Sequence, residues 1–182
     1  MRRLMPLLLL LFGLFQGAPA LAEVSRDPYA YFFNETWNNL HEELQRARDE
    51  GKQAILIFFE MDECPFCHRM KRSVLNQPTV QAYFRQHFIN IPVDIEGDVE
   101  MVDFQGQPTT QKDFAFKANR VRATPVIAIY DLEGNEIVRY TGATANAEEF
   151  LWLGQFVVEG RYKTMRFTKY KRQRAREARR QQ

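Results

Sequence analysis

A run of apolar, β-branched and aromatic residues, Ile55-Leu-Ile-Phe-Phe59, leads straight into Glu60-Met-Asp-Glu-Cys64-Pro-Phe-Cys67-His68-Arg-Met-Lys71. Such a short apolar run predicts a buried strand. Pro65 suits the first turn of a helix, where its missing N–H leaves no partner unsatisfied. The strand must therefore hand over to a helix at a cysteine pair. At a helix N-terminus the unpaired N–H groups and the positive end of the dipole favour a thiolate on Cys64. Cys67 lies one turn on, near enough to resolve a mixed disulfide. These are the only two cysteines in the chain, and they point to dithiol–disulfide exchange.

Other chemistries compete for the pair. A structural disulfide across two residues closes too small a loop to stabilise much. Structural zinc needs four ligands at finger-like spacing, whereas His41, His68 and His87 repeat no pair pattern. Cys64-Pro-Phe-Cys67-His68 also has the form of a c-type haem attachment site, with His68 as proximal ligand and Met61 or Met70 as a distal one. A haem-carrying electron-transfer protein is thus the alternative, although here the motif follows a strand in a strand-rich chain.

Residues 1–22 read as a secretory signal. Arg2 and Arg3 form the positive start, Leu7 to Phe15 the apolar run, and Ala20-Leu21-Ala22 the cleavage site. The apolar run is too short for a transmembrane helix. The mature chain is then expected from Glu23 in an exported, periplasmic compartment, where a single cysteine pair suits a redox tool better than a disulfide-stapled scaffold. The formal net charge of +2 hides a division. Residues 161–182 carry ten Lys/Arg and one acid, whereas residues 23–160 carry thirteen basic and twenty-two acidic residues, net −9. This divides the chain into a signal peptide, a domain over 23–160 and a basic tail over 161–182. Tyr162, Met165, Phe167 and Tyr170 alternate with basic residues in the tail. Export excludes nucleic acid as its partner and leaves an anionic membrane surface or an acidic partner. The plainer expectation is a solvated, partly helical or disordered tail.

Within the domain, Thr36 to Glu50 is predicted as a helix with Trp37, Leu40, Leu44 and Ala47 as its apolar stripe, capped by Asn34 or Thr36 and ended by Gly51. Pro78 opens a further helical segment that turns Val80, Tyr83 and Phe84 inward. Ile89 to Ile95 alternates as a strand, and Pro92 makes it an edge strand. Residues 96–110 form an acidic loop; Glu96, Asp98, Glu100 and Asp103 lack the glycine placement and closing glutamate of a calcium loop. A short helix over Thr110 to Asn119 turns Phe114 and Ala118 inward. A strand over Val121 to Tyr130, a Gly134-Asn135 turn, a strand over Glu136 to Tyr140 and a helix over Ala147 to Glu159 complete an α/β order with a mixed sheet.

Over roughly residues 36–158 this order resembles the thioredoxin fold, and within it the exported thioredoxin-like proteins of the SoxW type. The features that carry the resemblance are Glu60 to Met70 and the Thr124-Pro125 that opens a later strand. The resemblance implies that Cys64 is the exposed nucleophile and Cys67 the buried resolving thiol. It implies a cis peptide bond before Pro125, backbone contacts to substrate from Thr124, and a contact surface lined by Met61, Pro65 and Phe66. It implies no cofactor beyond the redox-active Cys64–Cys67 disulfide. Its partners would be protein thiols and disulfides and an upstream electron donor. Phe58 stands where thioredoxin has a buried aspartate, so Glu60 is the nearest residue for proton transfer. Pro65-Phe66 resembles glutaredoxin's Pro-Tyr, and the chain has no room for the inserted helical domain of DsbA-type oxidases. The Pro65-Phe66 pair lies between the extremes of the fold, and the lack of that insert favours reduction or isomerisation over oxidation. A thioredoxin-like binding module with no catalysis is the remaining alternative.

Overall fold

In a computed structural model describing residues 24–180, the first strand, β1 (Ala54–Glu60), is buried over all seven residues. It is buried because it lies between two neighbours in a four-stranded sheet, parallel to β2 (Phe88–Asp94) and antiparallel to β5 (Val126–Tyr130). The sheet ends at β6 (Glu136–Thr141), antiparallel to β5 and reached by a turn in which Gly134 takes φ +82°. The parallel β1–β2 pair requires a crossover. Two helices supply it, α3 (Pro65–Ser73) and α4 (Pro78–His87), each opened by proline as the sequence predicts. The secretory signal read at residues 1–22 lies outside the described residues.

Each face of the sheet carries its own core. On one, Leu56, Phe58, Ile127 and Ile129 pack with Met70 of α3, Phe84 of α4 and Phe150 of the last domain helix, α6 (Ala147–Val158). Phe84 and Phe150 stack with ring centroids 4.3 Å apart. On the other face, Ile55, Ile57, Phe59, Ile89 and Ile91 meet Leu40 and Leu44 of helix α2 (Leu40–Asp49).

The chain departs from the sequence reading in five places. The one-turn helix α1 (Pro28–Tyr31), capped by Asp27, leads to Phe32 and Phe33, both buried in the first core. The same segment bonds to β2: Asn34 N–H donates to the Asn90 carbonyl at 2.8 Å, and Asn90 N–H donates to Asn34 Oδ1 at 2.9 Å. Second, α2 begins at Leu40 rather than Thr36. Asn38 has φ +58°, which breaks the helix, and Asn39 is the cap that accepts from Glu42 N–H. Trp37 is consequently 95% exposed and no part of the apolar stripe. Third, residues 96–110 are not a plain loop. They contain the hairpin β3 (Glu100–Val102) and β4 (Pro108–Thr110), anchored by a Val102 N–H bond to the Asn38 carbonyl.

Fourth, the expected helix over residues 110–119 is the short α5 (Gln111–Asp113) running into a π-helical turn, Phe114–Ala118. The widened turn, closed by Asn119 N–H to the Phe114 carbonyl, buries Phe114 and Ala115 and leaves Ala118 exposed. Fifth, the basic tail is largely one helix, α7 (Phe167–Arg180), packed on α6 rather than free in solvent. Tyr170 is buried there, its ring 5.3 Å from that of Phe156.

Candidate functional site

The C-terminal end of β1 releases the chain into a short loop, and Cys64 closes that loop as the N-cap of α3. Its side-chain sulfur accepts the Cys67 N–H at 3.0 Å. Cys64 and Cys67 form a disulfide with their Cα atoms 5.2 Å apart. Cys67 is wholly buried. Cys64, expected to be exposed, keeps only 2% of its surface and packs in the first core. The two sulfurs are bonded to each other rather than free for the thioether bonds that covalent haem would require. His68 instead turns back on the loop, its Nε2 2.8 Å from the Asp62 carbonyl.

The other residues marked by the sequence fall around this point. Pro65 and Phe66 are exposed on the first turn of α3, with the Arg69 guanidinium 5.6 Å from the centre of the Phe66 ring. Met61 is half-buried and packs against the first core. The peptide bond between Thr124 and Pro125 is cis. The pairing of Phe59 with Val126 sets Pro125 beside the end of β1 from which the cysteine loop departs. Thr124 Oγ1 is buried with no hydrogen-bond partner among the described residues. Met70 ties α3 to the segment after β6, where Thr144 Oγ1 donates to its sulfur at 3.4 Å.

Glu60, the last residue of β1, is not a solvated carboxylate. It is 7% exposed and held by two groups from distant parts of the chain. Tyr29 O–H donates to Oε1 at 2.8 Å, and Lys71 Nζ lies 2.8 Å from Oε2, as an ion pair rather than an aligned hydrogen bond. Lys71 also donates to the Tyr29 oxygen at 2.9 Å, which closes a triangle. Burial alone would push the Lys71 ammonium below its usual range, but its contacts with Glu60 and Tyr29 outweigh burial and hold it above. Burial, with Glu60 adding to it, raises the Tyr29 phenol. Tyr29 and Lys71 escaped the sequence reading. The Asp27-Pro28 start of α1 was a usable helix signal, but nothing local links Tyr29 to residues 31 and 42 positions away. Asp62 and Glu63 are exposed, so water screens their charge from the sulfurs.

The profile of the thioredoxin-like domain family matches residues 40–157, well over half of the chain. The chain belongs to the thioredoxin-like family. Among solved structures, this thioredoxin-like chain is similar to a thioredoxin-fold protein from Helicobacter pylori (23% identity, TM-score 0.55, 65% of this chain and 80% of that one). It is also similar to a thioredoxin from Thermus thermophilus (23%, 0.51, 64% and 82%) and to the DsbH oxidoreductase (18%, 0.51, 84% and 94%). No curated protein matches it by sequence. A thioredoxin-like domain with a Cys-x-x-Cys disulfide at the head of its first crossover helix is a thiol–disulfide oxidoreductase.

Proposed function

We propose that this chain is an exported, periplasmic member of the family, resembling the SoxW type, that reduces or isomerises disulfides in protein substrates. The observation that carries the reading is the position of Cys64 at the cap of α3, with the Cys67 N–H aimed at its sulfur. That N–H and the helix dipole stabilise a thiolate at Cys64 once the pair is reduced. The Cys64 thiolate attacks one sulfur of a substrate disulfide, forming a mixed disulfide and expelling the other substrate sulfur as a thiolate. The Cys67 thiolate then attacks Cys64, releasing the second substrate sulfur and leaving Cys64–Cys67 oxidised. Two electrons pass to the substrate, and an upstream dithiol donor must restore them.

Thr124 and Pro125 offer backbone groups to the substrate strand, with Met61, Pro65 and Phe66 as the contact surface. Glu60 takes the proton from Cys67 as it becomes a nucleophile. In support, Glu60 is the buried carboxylate ending the strand before the pair, and Lys71 links it to α3 four residues past Cys67. Reduction is favoured over oxidation by an insert between β2 and β5 that amounts to one hairpin and a short helix.

The test is a Cys67→Ala variant expressed in an exporting host. Cys64 should then accumulate mixed disulfides with substrate proteins that reductant releases, and their absence would sink the reading. The reduction potential of the wild-type pair sets the direction. A value near about −270 mV supports a reductase, and one near about −120 mV makes the protein a disulfide donor.

A further inference from the structure

Helix α7 divides its side chains cleanly. Its inward face holds Phe167, Tyr170 and the half-buried Ala175 against the first core. Tyr170 O–H donates to Glu159 at 3.1 Å, and Lys171 donates to the buried Glu149 at 2.6 Å. Burial would raise the Glu149 carboxyl, but the contacts from Lys171, Tyr140 and the Ala145 N–H outweigh it and hold that group below the usual carboxylate range. The outward face holds Lys169, Arg172, Arg176, Arg179 and Arg180, all exposed and with no ion pair among the described residues. Their spacing of three and four residues makes them one stripe along a helix about 21 Å long. The one acid on the helix, Glu177, is 3.9 Å from Arg174.

We propose that this stripe docks the protein on a membrane surface rich in anionic lipid headgroups. Charge complementarity supplies the attraction, since each Lys or Arg held near such a surface strengthens binding severalfold. A protein partner fits the face less well, because stable protein interfaces centre on buried aromatic or apolar anchors. None of the exposed large apolar side chains lies on α7; its aromatic residues are spent on the core. For the same reason the helix cannot insert as a free amphipathic helix would, and no helix among the described residues is long and apolar enough to cross a membrane. The attachment is purely electrostatic, and the acidic domain behind α7 keeps it confined to this face.

The test is co-sedimentation of protein recovered from an exporting host with vesicles of phosphatidylglycerol and phosphatidylcholine, against vesicles of phosphatidylcholine alone. Binding is expected to the anionic vesicles only. It should disappear as salt rises from about 0.01 M to about 1 M, where the Debye length falls from about 30 Å to about 3 Å. Neutralising three charges, Arg172→Gln, Arg176→Gln and Arg179→Gln, should weaken binding on the order of a hundredfold. The same loss of charge at Lys112, Lys117 and Arg122 should leave it largely intact. Unchanged thermal unfolding of the tail variant would show that α7 remains docked. Equal binding to both kinds of vesicle would indicate an apolar leader and overturn the proposal, as would a tail variant that binds like wild type. Failure to bind anionic vesicles while an immobilised acidic polypeptide or duplex DNA captures the protein would overturn it in favour of those partners. The outcome is independent of the disulfide chemistry.

Discussion

Replacing Glu60 with glutamine tests the buried triangle beside the cysteine pair. The substitution keeps the shape and one acceptor for the Tyr29 hydroxyl but removes the charge facing Lys71. The Lys71 and Glu60 side chains keep only 16% and 10% of their surface, and their charged atoms are 2.8 Å apart. Removing one partner of a fully buried pair costs about 3–5 kcal/mol, much of it the penalty of the charge left behind. Here Lys71 retains the Tyr29 oxygen and a sliver of solvent, which brings the expected loss to about 2 kcal/mol. With a urea slope of about 2 kcal/mol per M, that moves the unfolding midpoint of the oxidised protein down by about 1 M.

The pH dependence carries a sign. The folded-state pKa of Lys71 is raised above its unfolded value of 10.5. Its stabilisation is therefore fully present below the ordinary lysine range and is lost as pH rises through the folded value. The gap between wild type and Glu60→Gln should be flat from neutrality to about pH 10 and close above it. A neutral-pH gap below about 0.5 kcal/mol would refute the reasoning, because it would be no larger than that of an ordinary surface substitution. So would a gap that persists undiminished well above the lysine range.

Gly154→Ala should lower the unfolding free energy by about 1–3 kcal/mol in equilibrium denaturation, since a Cβ there would meet the Phe84 and Tyr83 rings at 2.9 Å. Trp37→Ala, by contrast, should change stability by no more than about 0.5 kcal/mol, because the ring is 95% exposed. The lowered folded-state pKa of Glu149 means that its contribution is present at neutral pH and lost as pH falls through that value. Acidification should therefore loosen α7 before the sheet, seen as hydrogen exchange rising first at residues 167–180. Simultaneous loss of both would count against a separate role for the Glu149–Lys171 pair.

The parts of the fold governed by local chemistry were legible in the sequence. β1 is a dense apolar run, and Pro65 and Pro78 open helices because their fixed φ suits a first turn. Pro92 marks an edge strand because it cannot donate to a ladder. The cysteine pair and the Thr124-Pro125 bond stand where the resemblance sets them. Legibility failed where a single residue's backbone or a distant contact decides. Trp37 fits the helical spacing of Leu40 and Leu44, but the left-handed Asn38 separates it from the helix. Ala118 gave way to Ala115 because one wide turn shifts the inward face. The burial of Glu60 was not legible because both groups that cover it come from elsewhere in the chain. The tail's composition resembles that of a soluble appendage, and only Tyr162, Met165, Phe167 and Tyr170 hinted at a docking face.

The paired Asn34 and Asn90 bear on how the protein avoids its own kind. An open sheet exposes unsatisfied N–H and C=O groups along its outermost strands, and these can template pairing with another chain. On β2 the segment before α2 occupies such groups at Asn90. At the opposite margin, Ile137 to Thr141 of β6 line a cleft whose far wall is Tyr162 and residues 165–168. The N-terminal segment thus covers part of one border of the sheet, and the C-terminal segment packs beside the other through the Tyr140 and Phe167 rings. A fragment trimmed to the family match at residues 40–157 would keep the cysteines and the fold's outline, yet lose both flanking segments. Its hazard would be less a lack of chemistry than a tendency to add strands from its neighbours.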